Sequence, residues 1–162
     1  MSEVSDVAVV RMMMADHVSV DQSSKKLSIV GGGVAVLASP PGGGRTSPFG
    51  LFVSIAVPAA QYGAQCSVEI VLVDSAGNLA TLVTPTSEPE QLRIVRSFRL
   101  DQPTPPSEGP RDFLRARAQI AIAFPSGLPV AAGEGYLWRL KIDDEGRDDW
   151  TEEFIVVSQD AL

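Results

Sequence analysis

The stretch "FLRARAQIAIAF", residues 113–124, alternates apolar and polar side chains almost throughout, and a segment of period two can bury one face only as a β-strand. On a strand, Leu114, Ala116, Ala118, Ile120, Ile122 and Phe124 share a face while Arg115, Arg117 and Gln119 take the other. A helix would scatter both sets around its circumference. The same patterning predicts strands at 7–14, 27–37, 49–57, 66–73, 92–100, 113–124, 136–142 and 153–157. Between them lie turn-forming segments such as "DQSSKK", "ASPPGGGRTSP", "DSAGN" and "PSGLPVAAGEG", rich in residues that set φ or bond their own backbone. About eight strands at this spacing imply an all-β, single-domain β-sandwich of jelly-roll or Greek-key type.

A chain of 162 residues suits one core, which commonly serves about 100 to 200 residues, so residues 1–162 are read as one domain. The proline-rich segments 84–90 and 101–110 are expected to be long surface loops, because the remainder beyond residue 110 is too short and strand-poor to hold a core of its own. The only cysteine, Cys66, cannot form an intramolecular disulfide and lies in the alternating stretch "CSVEIVLV", where burial is the expected state.

The net charge of −7 argues against nucleic acid as the partner, since neutralising phosphates takes a surplus of Lys and Arg. The opening "MSEVSDVAVVRMMM" carries acids where an export signal would carry positive charge. No apolar run approaches the ~20 residues of a spanning helix. The expectation is a soluble, intracellularly made protein with no membrane partner.

Two triple-glycine runs, Gly31 to Gly33 and Gly42 to Gly44, raise the question of phosphate binding. A dinucleotide fingerprint needs a third glycine where Val36 stands, and a helix where "VAVLASPP" continues as strand. A nucleotide-triphosphate loop needs glycine and lysine where Ser39 and Arg45 stand. The first run therefore reads as a bulge or bend within a strand and the second as a loop tip.

Catalytic constellations are equally hard to assemble. His17 is the only histidine, so a triad would have to use it, yet the adjacent Asp16 points to the opposite face of a strand and cannot orient it. His17 is expected on a surface turn, and Cys66 in the core rather than in a thiol dyad. No pair of carboxylates is singled out for glycoside hydrolysis. Tyr136 and Trp138 beside Arg139 suggest a sugar platform, but Trp138 shares parity with Leu140 and Ile142 and so should face the core.

The densest polar cluster is "DDEGRDDWTEE". Asp143, Asp144, Asp148 and Asp149 are the candidate ligands for a cation such as Ca²⁺, which takes six to eight oxygens. Their spacing departs from the helix-loop-helix calcium pattern, and a solvated acidic turn between two strands is the expectation. No cofactor is expected.

Charge is also unevenly distributed. Residues 91–117 hold six arginines, at 93, 96, 99, 111, 115 and 117, against Asp101, Glu108 and Asp112. From Glu134 onward nine acids face Arg139, Lys141 and Arg147. Arg93, Arg96, Arg99, Arg115 and Arg117 are therefore the candidate contact residues for an acidic protein surface, another copy included.

"MMADHVSVDQSSKKLSIVGGG", "VEIVLVDSAGN", and "GLPVAAGEGYLWRLKIDDE" followed by "FIV" resemble a family of small, uncharacterised β-sandwich proteins, known by a domain-of-unknown-function label, encoded in bacterial and bacteriophage genomes. The chain departs from it in "SKKL", where glycine-lysine-leucine is common, and in the proline-rich segment 101–110. The resemblance supplies no catalytic motif. It implies a non-enzymatic virion accessory or capsid-decoration protein, with a major capsid protein or further copies as partners and the virion as location. A carbohydrate- or Ca²⁺-dependent ligand-binding module, with "DDEGRDD" as its cation loop, is the alternative.

Overall fold

A computed structural model of the chain describes residues 2–24, 26–85, 88–101 and 110–162. After a short helix α1 (Glu3–Val7) come β1 (Val9–Val20), β2 (Leu27–Gly32), β3 (Val36–Ser39), β4 (Phe49–Val57) and β5 (Gln65–Asp74). They are followed by β6 (Thr81–Leu82), β7 (Glu90–Gln91), β8 (Arg93–Arg99), β9 (Ala116–Phe124), β10 (Glu134–Ile142) and β11 (Glu145–Ser158). The protein is all-β in class. Four strands pair in the order β2-β1-β4-β9 and five in the order β3-β11-β10-β5-β8, while β6 and β7 pair by themselves. Every pairing is antiparallel except that of β3 with β11.

Alternation decides which residues enter the core. On β4, Phe49, Leu51, Val53, Ile55 and Val57 are buried while Phe52, Ser54 and Ala56 between them are only partly covered. On β10, Tyr136, Trp138, Leu140 and Ile142 are buried in the same rhythm. The two sheets meet through these faces. The Phe49 ring of the first sheet lies 6.5 Å from that of Trp138 and 6.3 Å from that of Phe154 in the second, and Phe124 stacks on Phe49 at 4.7 Å. Fully burying side chains of this size is the largest favourable contribution a strand residue can make.

The expected segment 27–37 is two strands in different sheets. Gly31 and Gly33 adopt φ of +65° and +88°, conformations that side chains with a Cβ resist, and the chain leaves the first sheet there to enter the second as β3. Gly31 is also filled from outside, since a Cβ there would stand 2.0 Å from Asp16 Oδ2. The second glycine run, Gly42 to Gly44, is a turn with φ positive throughout.

Four further boundaries differ from expectation. Residues 3–7 form α1, capped by the Ser2 hydroxyl accepting from Ser5 N–H at 3.0 Å, and β1 runs on through "ADHVSV", so His17 is a strand residue opposite Val30. Leu114 is 37% exposed because β9 begins only at Ala116, after a 3-10 turn at Arg111–Phe113. β11 starts at Glu145, eight residues before the expected 153. Of the two expected loops, residues 86–87 and 102–109 lie outside the described residues, and Glu90 belongs to β7.

Candidate interaction surface

Of the arginines singled out by sequence, Arg93, Arg96 and Arg99 lie on the edge strand β8, Arg117 on the edge strand β9, and Arg115 immediately before β9. β8 ends the five-stranded sheet and β9 ends the four-stranded one, and an isolated bridge between Asp101 and Arg117 ties the end of β8 to the start of β9. Both outer strands therefore lie on the same flank of the molecule, with that bridge as their one further strand contact among the described residues. Arg93, Arg96, Arg99, Arg115 and Arg117 are all exposed there. Arg93 is held by Glu69 on β5, and Arg99 approaches Asp101 at 3.8 Å. The Glu69 side chain is largely covered, whereas the Arg99–Asp101 pair is exposed on both sides, and a pair of that kind contributes little to stability, on the order of 0–1 kcal/mol.

Arg96 occupies an instructive position. Its parity is that of Ile94 and Phe98, which pack against the core, and it lies opposite the fully buried Val68. A charge at an inward position of an edge strand discourages another chain from adding as the next strand. Two β8 edges brought together antiparallel about Arg96 would set Arg96 against Arg96 and Arg93 against Arg99, which repels. The flank favours side-chain docking of an acidic surface over strand addition.

One aromatic residue stands out beside this flank. Phe113 is 81% exposed on the 3-10 turn that contacts the turn Ala59–Gln61, and the Tyr62 hydroxyl donates to Leu114 O next to it. The Arg99 guanidinium lies over Gly63 in the same region, 3.6 Å from where a Cβ would sit. Strand parity puts Phe113 on the face of Arg115 and Arg117, so its outward position follows from the alternation, while the 3-10 turn that carries it does not.

The acidic segment is not one turn. Only Asp143 and Asp144 form the connection between β10 and β11, with φ of +50° and +68°, the left-handed pair that a two-residue hairpin requires. Asp143 is anchored: its N–H donates to Ser67 O and its carboxylate accepts from Ser67 N–H, both at 2.8 Å. Asp148 and Asp149 lie farther along β11, in a bulge, for the register passes from Arg139 opposite Thr151 to Lys141 opposite Gly146. There Arg147 lies 3.7 Å from Asp149 and 5.5 Å over the Trp150 ring. Among the described residues no three His, Cys, Asp or Glu side chains are grouped to hold a metal ion.

This bulge marks the opposite flank. β3 pairs only with residues 155–158 of β11 and β2 only with 15–20 of β1, so among the described residues no strand pairs with 146–154 or 9–13 on that side. Glu152 links the two, its Oε1 accepting from Met14 N–H at 3.3 Å. Helix α1 lies against the same flank through Glu145, which accepts from the Ser5 hydroxyl and from Ser2 N–H. Glu3, Asp6, Asp148 and Asp149 are exposed on it, against Arg11 and Arg147.

Other candidates resolve by position. His17 is exposed on β1, and Asp16 lies over Gly31 instead of beside the imidazole. Cys66 is buried, and burial followed by the nearby Asp143 charge pushes its thiol up, so it is a poor nucleophile. Trp138 is fully buried and its indole N–H has no described partner. A groove of about 690 Å³ crosses the outer face of the five-stranded sheet, floored by Val36, Leu137 and Ile155 and rimmed by Arg139, Glu153 and the turn after Asp74.

No helix among the described residues is long and apolar enough to cross a membrane. Compared with models of known protein families, the chain has no match, and no curated protein matches it.

Proposed function

We propose that the chain is a non-enzymatic interaction protein that works through protein-protein contacts, and that its two sheets form a β-sandwich of jelly-roll or Greek-key type. The repeated passage of the chain from one sheet to the other, before β3, β4, β5, β9 and β10, supports that architecture. The observation that carries the functional reading is the flank where the outer strands β8 and β9 adjoin, with five exposed arginines on or beside them next to the exposed Phe113. Arginine and aromatic side chains are the residues most often found at energetic centres of protein interfaces.

With the family resemblance, the setting proposed is a phage particle, the chain serving as an accessory or capsid-decoration protein. Fractionation of the source material tests it. Co-sedimentation with intact particles at fixed stoichiometry supports the reading; a free chain absent from every particle removes the virion role.

A further inference from the structure

On the reading that this is a sandwich acting by protein contact, we propose that its partner is a second copy of the same chain, bound head to tail, the acidic flank of one copy docking on the arginine flank of the next. The two flanks are opposite ends of one sheet order. β8 closes the five-stranded sheet at one end, and over residues 145–154 β11 closes it at the other, with β10 and β5 between. Three interstrand steps of about 4.8 Å separate them, so one copy presents both surfaces at once.

The charges are complementary and largely unspent within the chain. On the arginine flank Glu69 and Asp101 meet Arg93 and Arg99, while among the described residues Arg96 bonds only Val95 O, at 3.4 Å. Among the described residues Arg115 and Arg117 form no ion pair, and both are exposed. On the acidic flank the β11 bulge pushes Asp148 and Asp149 outward and α1 adds Glu3 and Asp6. A bulge at a sheet edge re-aims side chains and ends pairing, which suits a surface that meets its partner through side chains.

Symmetry favours this arrangement over a two-fold dimer. Two arginine flanks repel one another, as do two acidic ones, and like-charge contacts of that kind select against the wrong pairing. Joining unlike flanks gives a heterologous contact, which repeats until a ring closes or a filament grows.

The test uses the full chain and two neutralised variants, Arg96→Gln/Arg115→Gln/Arg117→Gln and Asp148→Asn/Asp149→Asn, in sedimentation velocity. The wild-type chain should grow in mass with loading at low salt, and its dissociation constant should rise at least about tenfold by ~0.5 M salt, where screening reaches ~4 Å. Each variant alone should stay monomeric with an unchanged melting temperature. Mixed, the two should form one-to-one dimers and stop, because each retains one competent flank. Wild-type chain monomeric at every loading, assembly that survives in either variant, or a mixture no heavier than its parts would overturn the inference. A monomeric wild-type chain that still co-sediments with particles would overturn only the self-assembly and leave the broader reading intact.

Discussion

Glu152 Oε1 accepts a hydrogen bond from Met14 N–H at 3.3 Å, joining β11 of one sheet to β1 of the other just beyond the stretch of β1 that pairs with β2. Burial is the first cause that pushes the Glu152 carboxyl above the ordinary glutamate range, and the charge of Glu153 adds to it, although the Met14 hydrogen bond pulls the other way. The folded state therefore holds this proton to higher pH than the unfolded chain does. Where the folded state binds more protons, stability falls as pH rises. Glu152 should weaken the fold as pH climbs from the unfolded value through the raised one. Urea titrations at a series of pH values should show that slope, and Glu152→Gln should flatten it while keeping an acceptor for Met14.

Glu145 behaves in the opposite sense. The Ser5 hydroxyl is the first cause that holds its carboxyl below the usual range, so the contribution is present above the unfolded value and fades as pH falls through the lowered one. Glu145→Ala should release α1 without unfolding the sheets. Hydrogen exchange of the Ala8 amide, which bonds Val4 O at 3.0 Å, should speed up at neutral pH, with strand amides of β4 and β10 unchanged.

The aromatic cluster sets the scale of core mutations. Trp138→Ala removes a fully buried ring that contacts Phe49, Phe124 and Phe154, and a loss of about 3–5 kcal/mol is expected, measured as a shift of the denaturant midpoint.

This cluster also shows what alternation reveals. Trp138 could be assigned inward because Leu140 and Ile142 share its parity, and the spans of β4 and β5 followed from the same rule within a residue or so. Alternation cannot say when a strand changes sheets. The break after Gly33 depends on φ of +88°, and "LSIVGGGVAVL" keeps its apolar content straight through it. Nor does it reveal bulges, which is why Asp148 and Asp149 read as turn residues although they lie within β11. The arginine flank was visible as composition, yet only the Asp101–Arg117 bridge shows that β8 and β9 adjoin, and only the structure shows that Phe113 sits on a 3-10 turn before β9.

Two glycines separate conformational strain from steric exclusion. Gly33 has φ of +88° with nothing within 4 Å of an added Cβ, whereas at Gly127, φ +62°, the Cβ would fall 1.9 Å from Thr46 O. Gly33→Ala should cost about 1–2 kcal/mol, the left-handed penalty alone. Gly127→Ala should cost clearly more, because Thr46 N–H donates to Leu128 O at 2.9 Å and Thr46 Oγ1 accepts from Leu128 N–H at 3.0 Å, a pairing the new methyl must push apart. Thermal melts of the two variants should rank them in that order.

The acidic hairpin offers the last test, because it separates a structural turn from a cation loop. Asp143 and Asp144 both sit at positive φ, where a type I′ turn prefers Asn then Gly. Asp143 also spends its carboxylate on Ser67 N–H, and Asp148 and Asp149 are carried away by the bulge. If the segment is a turn, Asp144→Gly should stabilise the protein by up to about 1 kcal/mol, and neither millimolar Ca²⁺ nor chelator should move the melting temperature of the wild-type chain. A cation loop would reverse both results, since Asp144→Gly would remove a ligand and Ca²⁺ bound to the folded state alone would raise the melting temperature with concentration.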